Sequence, residues 1–345
     1  MKALNVAIVG ATGAVGEELI KILQERRFPM AELRLLASAR STGRRVRVGS
    51  DEIEVQAATP DAFRGIDVAF FSAGGSVSKE LAPEAVKAGA VVIDNTSAFR
   101  MDPSVPLVVP EVNPQAALKH QGIIANPNCS TIIMLVALNP LHQAARVRRV
   151  VVSTYQAVSG AGMKAMEELL QQVRDYAAGR QSEARVLPVA ALDRHYPILF
   201  NVIPQVDVFD EAGYTREEWK MVRETHKIFG DSTIGITATT VRVPVLRSHA
   251  ESIYIETERR LTVEEARSLL SEAPGVAVMD DPAQQLYPMP LDAAGRDEVF
   301  VGRIRPDLAV ENGLNLWAVG DQIRKGAALN AIQIAEYLLS EGALG

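Results

Sequence analysis

The run Leu4-Asn5-Val6-Ala7-Ile8-Val9 is apolar, rich in β-branched residues and stopped by Gly10, so it reads as a buried strand. Apolar residues then recur at helical spacing. Val15, Leu19, Ile22 and Leu23 share one face, which predicts a helix over 14–26. Short apolar runs predict strands over 33–37, 67–72, 91–94 and 123–125, with a helix over 76–88 that Gly89 ends. Strands alternating with helices in this order build a parallel sheet covered on both faces. After residue 129 the pattern changes. A long apolar helix is expected over 131–144, a strand over 149–155 and polar helices over 163–178 and 217–228. Alternating runs over 236–243 and 252–258, then a helix over 263–271, complete an α+β region with a mixed or antiparallel sheet. A final helix over 323–339 is a candidate to fold back onto the first region. Neither an internal repeat nor a low-complexity linker interrupts the chain.

The 345 residues are enough for about two domains of ~100–200 residues each. The formal net charge is −6, and no basic stripe carries interleaved aromatics, which argues against a nucleic-acid surface. The clusters Arg44, Arg45, Arg47 and Arg146, Arg148, Arg149 read as solvated strand ends. One cysteine excludes an internal disulfide and fits a reducing, cytoplasmic compartment. The first strand starts so close to Met1 that no signal peptide is expected, and no apolar run approaches the ~20 residues of a membrane helix. Five scattered histidines show no metal-ligand spacing with the cysteine, so no metal is expected.

Gly10-Ala11-Thr12-Gly13-Ala14-Val15-Gly16 lies between a predicted strand and a predicted helix, the context that a dinucleotide-binding turn requires. Gly10 permits the tight turn, Gly13 the approach of pyrophosphate, and Gly16 close packing of helix on strand. Free N–H groups at the helix start face the phosphates. Enzymes that take NAD usually carry an acid after the second strand. Here Ser38, Arg40, Ser41 and Thr42 stand there instead, which suits the 2′-phosphate of NADP.

None of the seven tyrosines has a lysine four residues later, so the Tyr-x-x-x-Lys pair of short-chain carbonyl reductases is missing. Thiol chemistry is the alternative. Cys129, in Asn126-Pro127-Asn128-Cys129-Ser130-Thr131, precedes the long apolar helix, whose positive end lowers a thiol pKa. A thiolate can attack an acyl phosphate or an aldehyde covalently. Packing as a small buried apolar group is the competing fate of such a cysteine. A second group must move protons. His249 falls in a turn between two predicted strands and His195 is its competitor, while His120, His142 and His226 lie on or beside helices.

These stretches, with Asn95-Thr96-Ser97-Ala98-Phe99-Arg100, Gln156-Ala157-Val158-Ser159-Gly160, Glu217-Glu218-Trp219-Lys220 and the segment 242–249, resemble the aspartate-semialdehyde dehydrogenases over nearly the whole chain. The short segment between Arg100 and Cys129 is similar to the Gram-positive branch more than the enteric one. The resemblance implies an α/β fold: an N-terminal Rossmann-type dinucleotide-binding domain, 1–128 with 322–345, and a C-terminal α+β catalytic and dimerisation domain, 129–321. It implies NADPH-dependent reduction of L-aspartyl-4-phosphate to the semialdehyde and phosphate, in lysine, threonine and methionine synthesis, by a homodimer or homotetramer. Cys129 would be the nucleophile, His249 the acid–base and Gln156 the orienter of the acyl group. Arg242 would hold the α-carboxylate, Glu217 the ammonium, and Arg100 and Lys220 the phosphate, with Asn128 shaping that region. Ser159, Gly160 and Gln322 would line the nicotinamide site. Two other readings stand beside this one. An N-acetyl-glutamyl-phosphate reductase would not need the anion at Glu217, and a non-catalytic NADP sensor would not need both Cys129 and His249. The bland reading of Glu217 and Lys220 is a surface i,i+3 ion pair.

Overall fold

The computed structural model describes residues 3–344. The chain divides into two compact units, residues 1–128 with 327–345, and residues 129–326. The return to the first unit comes at 327, not at the expected 322. The reason is local bonding: Gln322 accepts from Ser248 N, and the N–H groups of Ile323 and Arg324 donate to Asp321, all within the second unit.

In the first unit β1 (Leu4–Val9) leads through α1 (Ala14–Glu25) to β2 (Met30–Ala37). A hairpin, β3 (Arg45–Val48) and β4 (Asp51–Glu54), and the short β5 (Gln56–Ala57) precede β6 (Val68–Phe71). Then come α2 (Gly75–Lys87), β7 (Val91–Asp94) and β8 (Ile123–Ala125). Six strands form one parallel sheet in the order β5-β2-β1-β6-β7-β8. Alternation along β1 decides the layers. Val6 and Ile8 pack with Leu19, Ile22 and Leu23 of α1, while Ala7 and Val9 pack with Leu81, Ala82 and Ala85 of α2. The strand order reverses beside β1, where a doubly wound sheet opens its binding crevice.

The second unit begins with α3 (Cys129–Ala145), two residues earlier than the apolar pattern marks it, so Cys129 is its first residue. β9 (Val147–Gln156), α4 (Met163–Ala177), α5 (Arg216–Phe229), β10 (Gly235–Arg242) and β11 (His249–Thr257) follow. Next are α6 (Val263–Glu272), β12 (Val276–Val278), α7 (Pro290–Ala293), β13 (Val299–Pro306) and β14 (Gly313–Gly320). The mixed sheet runs β10-β9-β11-β14-β13-β12. The strands β12, β13 and β14, like β3, β4 and β5 of the first unit, are not among the predicted elements. The last helix, α8 (Leu329–Ser340), starts later than expected because a π-turn occupies Arg324–Ala328. Its residues Leu329, Ile332 and Leu338 join the same core as α1. Among the described residues no helix is long and apolar enough to cross a membrane.

The glycine turn shows why two of its positions admit no side chain. A Cβ on Gly16 would stand 2.2 Å from the Gly10 carbonyl oxygen, and one on Gly10, at φ 92°, 2.8 Å from the backbone of Ser72 after β6. Backbone on both sides leaves nothing flexible to yield. Gly16→Ala is therefore expected to destabilise the protein by about 1–3 kcal/mol, read as a lowered urea midpoint. A midpoint equal to that of the parent chain would show that the turn can open.

Candidate active site

Strand register assembles the buried polar face of the second unit. Arg242 at the end of β10 pairs with Gln156 at the end of β9. Ala250 of β11 stands opposite Tyr155, so one step on His249 reaches the level of Gln156, and on its other side His249 pairs with Gly320. Arg242, Gln156 and His249 are all buried. His249 is thus the first residue of a strand and not part of a turn, as its sequence position between two alternating runs implied. The turn consists of the residues just before it, up to Ser248.

Helix α5 brings the anion and the second cation. Thr215 caps it: its Oγ1 accepts from Glu218 N at 3.2 Å, and Glu218 Oε2 accepts from Thr215 N at 2.7 Å. Glu218 Oε1 also accepts from Thr240 N at 2.8 Å, which fastens the helix start to β10. Glu217 is thereby aimed inward. Gln156 Nε2 donates to Glu217 Oε1 at 3.3 Å and to Ser130 Oγ at 2.8 Å, linking α5, β9 and the first turn of α3. Lys220 donates to Glu217 Oε2 and to Asp207 Oδ2, each at 3.0 Å. The i,i+3 ion pair is real, but it is no surface pair, since Glu217 is only 6 % exposed.

Burial pulls the Lys220 ammonium down, yet the charges of Glu217 and Asp207 outweigh it and hold its pKa above the usual lysine value. Burial lowers Arg242 as well, opposed by the negative charges of Glu217 and Cys129, which places the thiol within the electrostatic reach of that guanidinium. Burial and then Arg242 push His249 down to about 3, against the smaller pull of Glu217. The ring geometry agrees. Nδ1 accepts from Ala157 N at 3.1 Å, so the neutral ring carries its proton on Nε2, which is buried and has no hydrogen-bond partner among the described residues. Gly160 fits against both groups: a Cβ there would lie 2.9 Å from Arg242 Nη1 and 3.2 Å from His249 Nε2.

The other expected residues lie as follows. Ser159 accepts a hydrogen bond from Gln322 in the second unit. In the first unit, Arg100 donates from Nε to Asn126 O at 2.9 Å and from Nη2 to Asn95 O at 2.8 Å, and Asn128 is buried. Thr12, Ala14 and Val15 are part-exposed in the glycine turn. Gly13 N donates to Gly10 O at 3.1 Å, and the N–H groups of Gly10 and Ala11 reach Leu36 O at the end of β2. Just beyond β2, Ser38, Arg40 and Thr42 are exposed and Ser41 part-exposed around one tight turn. His195, the competitor of His249, lies in the loop between α4 and α5, outside the row.

Residues 5–120 match the family model "Semialdehyde dehydrogenase, NAD binding domain", and residues 138–325 match "Semialdehyde dehydrogenase, dimerisation domain". The aspartate-semialdehyde dehydrogenases of Bacillus subtilis and Aquifex aeolicus are 55% and 56% identical over 338 and 341 residues, 98% of either chain in each case. The chain belongs to the aspartate-semialdehyde dehydrogenase family. The crystal structure of aspartate semialdehyde dehydrogenase II from Vibrio cholerae, complexed with ASA, superposes with a TM-score of 0.94 at 46% identity, covering 99% of both chains. The Candida albicans enzyme with NADP gives 0.76 at 25% identity, covering 99% of this chain and 100% of that one.

Within this family frame, motif reading passed over several polar residues at the site. Asp207 fixes Lys220, and Ser130 anchors Gln156. Glu251, two residues along β11 from His249, is fully buried, and neither carboxyl oxygen has a hydrogen-bond partner among the described residues. Burial first and the charge of Glu217 second hold its pKa well above the carboxylate range. Asp207 had no sequence signal, being far from Lys220 along a loop. Glu251 had one: an acid at a position that alternation assigns to the buried face.

The buried neutral ring makes a pH-dependent contribution. Above the ordinary histidine value of 6.5 it is neutral folded and unfolded. Between 6.5 and about 3 only the unfolded chain takes the proton, so stability falls as pH falls, and below about 3 the slope ends. From about pH 7.5 to 5, His249→Asn is expected to lose about 2 kcal/mol less unfolding free energy than the parent chain. Equal losses in urea titrations at the two pH values would contradict a ring held neutral.

Proposed function

We propose that this chain is a cytoplasmic, NADPH-dependent enzyme that reduces L-aspartyl-4-phosphate to L-aspartate-4-semialdehyde with release of phosphate. Family membership supports the reaction, and the observation that supports the mechanism is the buried row of Arg242, Gln156 and His249, with Gln156 bonded to Glu217 and to Ser130, the residue after Cys129. The glycine turn suits a dinucleotide: it follows β1 and opens α1, whose start offers N–H groups to an anion, and backbone packed against Gly10 and Gly16 admits no side chain there. The hydroxyls and guanidinium of Ser38, Arg40, Ser41 and Thr42 suit the 2′-phosphate. When bound, NADPH supplies the hydride.

The residues divide the remaining work. The Cys129 thiolate, at the first position of α3 and within reach of the Arg242 charge, attacks the acyl carbon. The carbon–oxygen bond to phosphate breaks and a thioester forms. Arg242 offers the α-carboxylate a two-pronged contact, and Glu217 meets the ammonium. Lys220, still with one N–H to give, takes the phosphate, and Arg100 and Asn128 keep the phosphate roles that the resemblance implies. Reduction of the thioester gives a thiohemiacetal. Its oxyanion is met by the Nε2–H of His249, a neutral donor that costs no buried charge, in the manner of an oxyanion hole. Gln156 orients the acyl group, and Ser159, Gly160 and Gln322 would line the nicotinamide site. Collapse of the thiohemiacetal releases the aldehyde and restores the thiolate.

Cys129→Ala is expected to abolish turnover while NADP binding, followed by fluorescence titration, survives. Oxidation of aspartate semialdehyde by NADP is expected to require inorganic phosphate. Substantial turnover by the variant, or oxidation without phosphate, would refute the acyl-phosphate route.

A homodimer follows from the second unit. Helices α3, α5 and α6 pack on one side of its sheet, while the other side presents Tyr155, 38 % exposed and with its ring 5.4 Å from that of Trp317. That face supports pairing of two copies. Tyr155→Glu is expected to shift the sedimentation coefficient toward that of a monomer, and an unchanged assembly would place the interface elsewhere. Sedimentation of the parent chain also tells a dimer from a tetramer.

A further inference from the structure

Asp321, directly after β14, is fully buried and its carboxylate is saturated with donors. Oδ2 accepts from Arg247 Nε at 2.5 Å and from Gly295 N at 2.6 Å. Oδ1 accepts from Ile323 N at 3.0 Å and Arg324 N at 3.1 Å. A carboxylate has about four acceptor positions, and each is matched here by an N–H from one of three separate segments. The backbone oxygen of Asp321 takes a further donor, Gly326 N, at 3.0 Å.

Two of these bonds end near the reacting groups, on Arg247 and on Gly326. Arg247 stands two residues before His249. Between them Ser248 is buried at φ 76°, a left-handed conformation unfavourable for serine that persists only when its surroundings impose it. The N–H of Ser248 donates to Gln322 Oε1 at 2.8 Å, and the Gln322 amide donates to Ser159. Consecutive side chains, 321 and 322, therefore grip the strained turn that launches His249. On the other side, Gly326 is pressed against the nucleophile: a Cβ on it would lie 2.8 Å from Cys129 Cβ and 3.2 Å from Cys129 Cα.

We propose that Asp321 is a positioning residue that sets Cys129 and His249 in one frame, through the turn before β11 and the π-turn at Gly326. The proposal rests on the reading of Cys129 and His249 as the reacting pair. A charge is needed because an asparagine would offer a single acceptor oxygen and turn its own N–H groups toward two of the four donors. Asp321 touches no reacting atom. Its effect is expected in kcat, through misplacement of groups that must meet within a fraction of an ångström.

The test uses Asp321→Asn, Arg247→Met and the double variant, with kcat scaled to folded protein by far-UV circular dichroism. Arg247→Met removes one donor from a side chain that is 26% exposed and keeps the proposal testable if Asp321→Asn does not fold. Asp321→Asn is expected to lower kcat about 100-fold and Arg247→Met about 10-fold, with KM for semialdehyde and for phosphate within about 2-fold. The double variant is expected to match Asp321→Asn, because both changes break the same link. Alkylation of Cys129 by iodoacetamide, followed by mass spectrometry, is expected to change at least 3-fold in Asp321→Asn. Normal kcat per folded molecule in both single variants, or losses that multiply in the double one, would overturn the proposal. Turnover by Cys129→Ala would instead overturn the underlying reading, and the alkylation rate reports on Asp321 independently of it.

Discussion

The hydrogen-bond register among β10, β9 and β11 sets everything at the site. Pairing of Arg242 with Gln156, and of Ala250 with Tyr155, puts a cation, an amide and an imidazole at one level and on one face. Side chains alternate along a strand, so a slip of one residue would send this whole row to the opposite face. The layer beneath follows the same rule, with Thr240, Thr154 and Glu251 side by side. The hydrophobic strand interiors, such as Val150, Val152, Ile253 and Ile255, lock that register because only one alignment buries them all. The polar row is a consequence of packing further along the same strands.

The second constraint is electrostatic. A buried face that holds Arg242, Glu217 and Lys220 must balance its charges without water, because unpaired charge in such a place is costly. Glu217 does most of this. It accepts from Gln156 and Lys220 and acts on Arg242, His249 and Glu251. The result is a buried cluster of two cations around one carboxylate, with an imidazole kept uncharged. A neutral ring between Arg242 and an N–H of the main chain is a fixed donor, and fixed dipoles need no reorganisation when charge develops on a substrate oxygen.

Close approach of backbones is a device that both units use. In the first unit Gly16 lies on the carbonyl of Gly10, and in the second Gly160 lies on His249 and Gly326 on Cys129. Each is a position where a methyl group would displace something that must not move. The motif glycines at 10, 13 and 16 could be read from spacing, since the turn follows a strand and opens a helix. Gly326 could not, because nothing near it in the chain announces that Cys129 will lie against it.

Local signals in the chain were sufficient for five of the six strands of the parallel sheet and for α1 and α2, for the glycine turn, and for a thiol at a helix start, but not for the β3–β4 hairpin or the edge strand β5. Each of these depends on neighbours within a few residues: periodicity, a stop at glycine, a run of β-branched side chains. The motif resemblance named the roles of residues that lie far apart along the chain. Tertiary structure alone decided that His249 opens a strand, that its ring is held neutral by burial and by Arg242, that Lys220 is braced by Asp207, and that Asp321 ties two loops together. Those facts depend on which surfaces meet after folding. Contacts between residues 13 to 92 positions apart leave no trace in local pattern, because burial and register, not composition, determine which polar groups are stripped of water together.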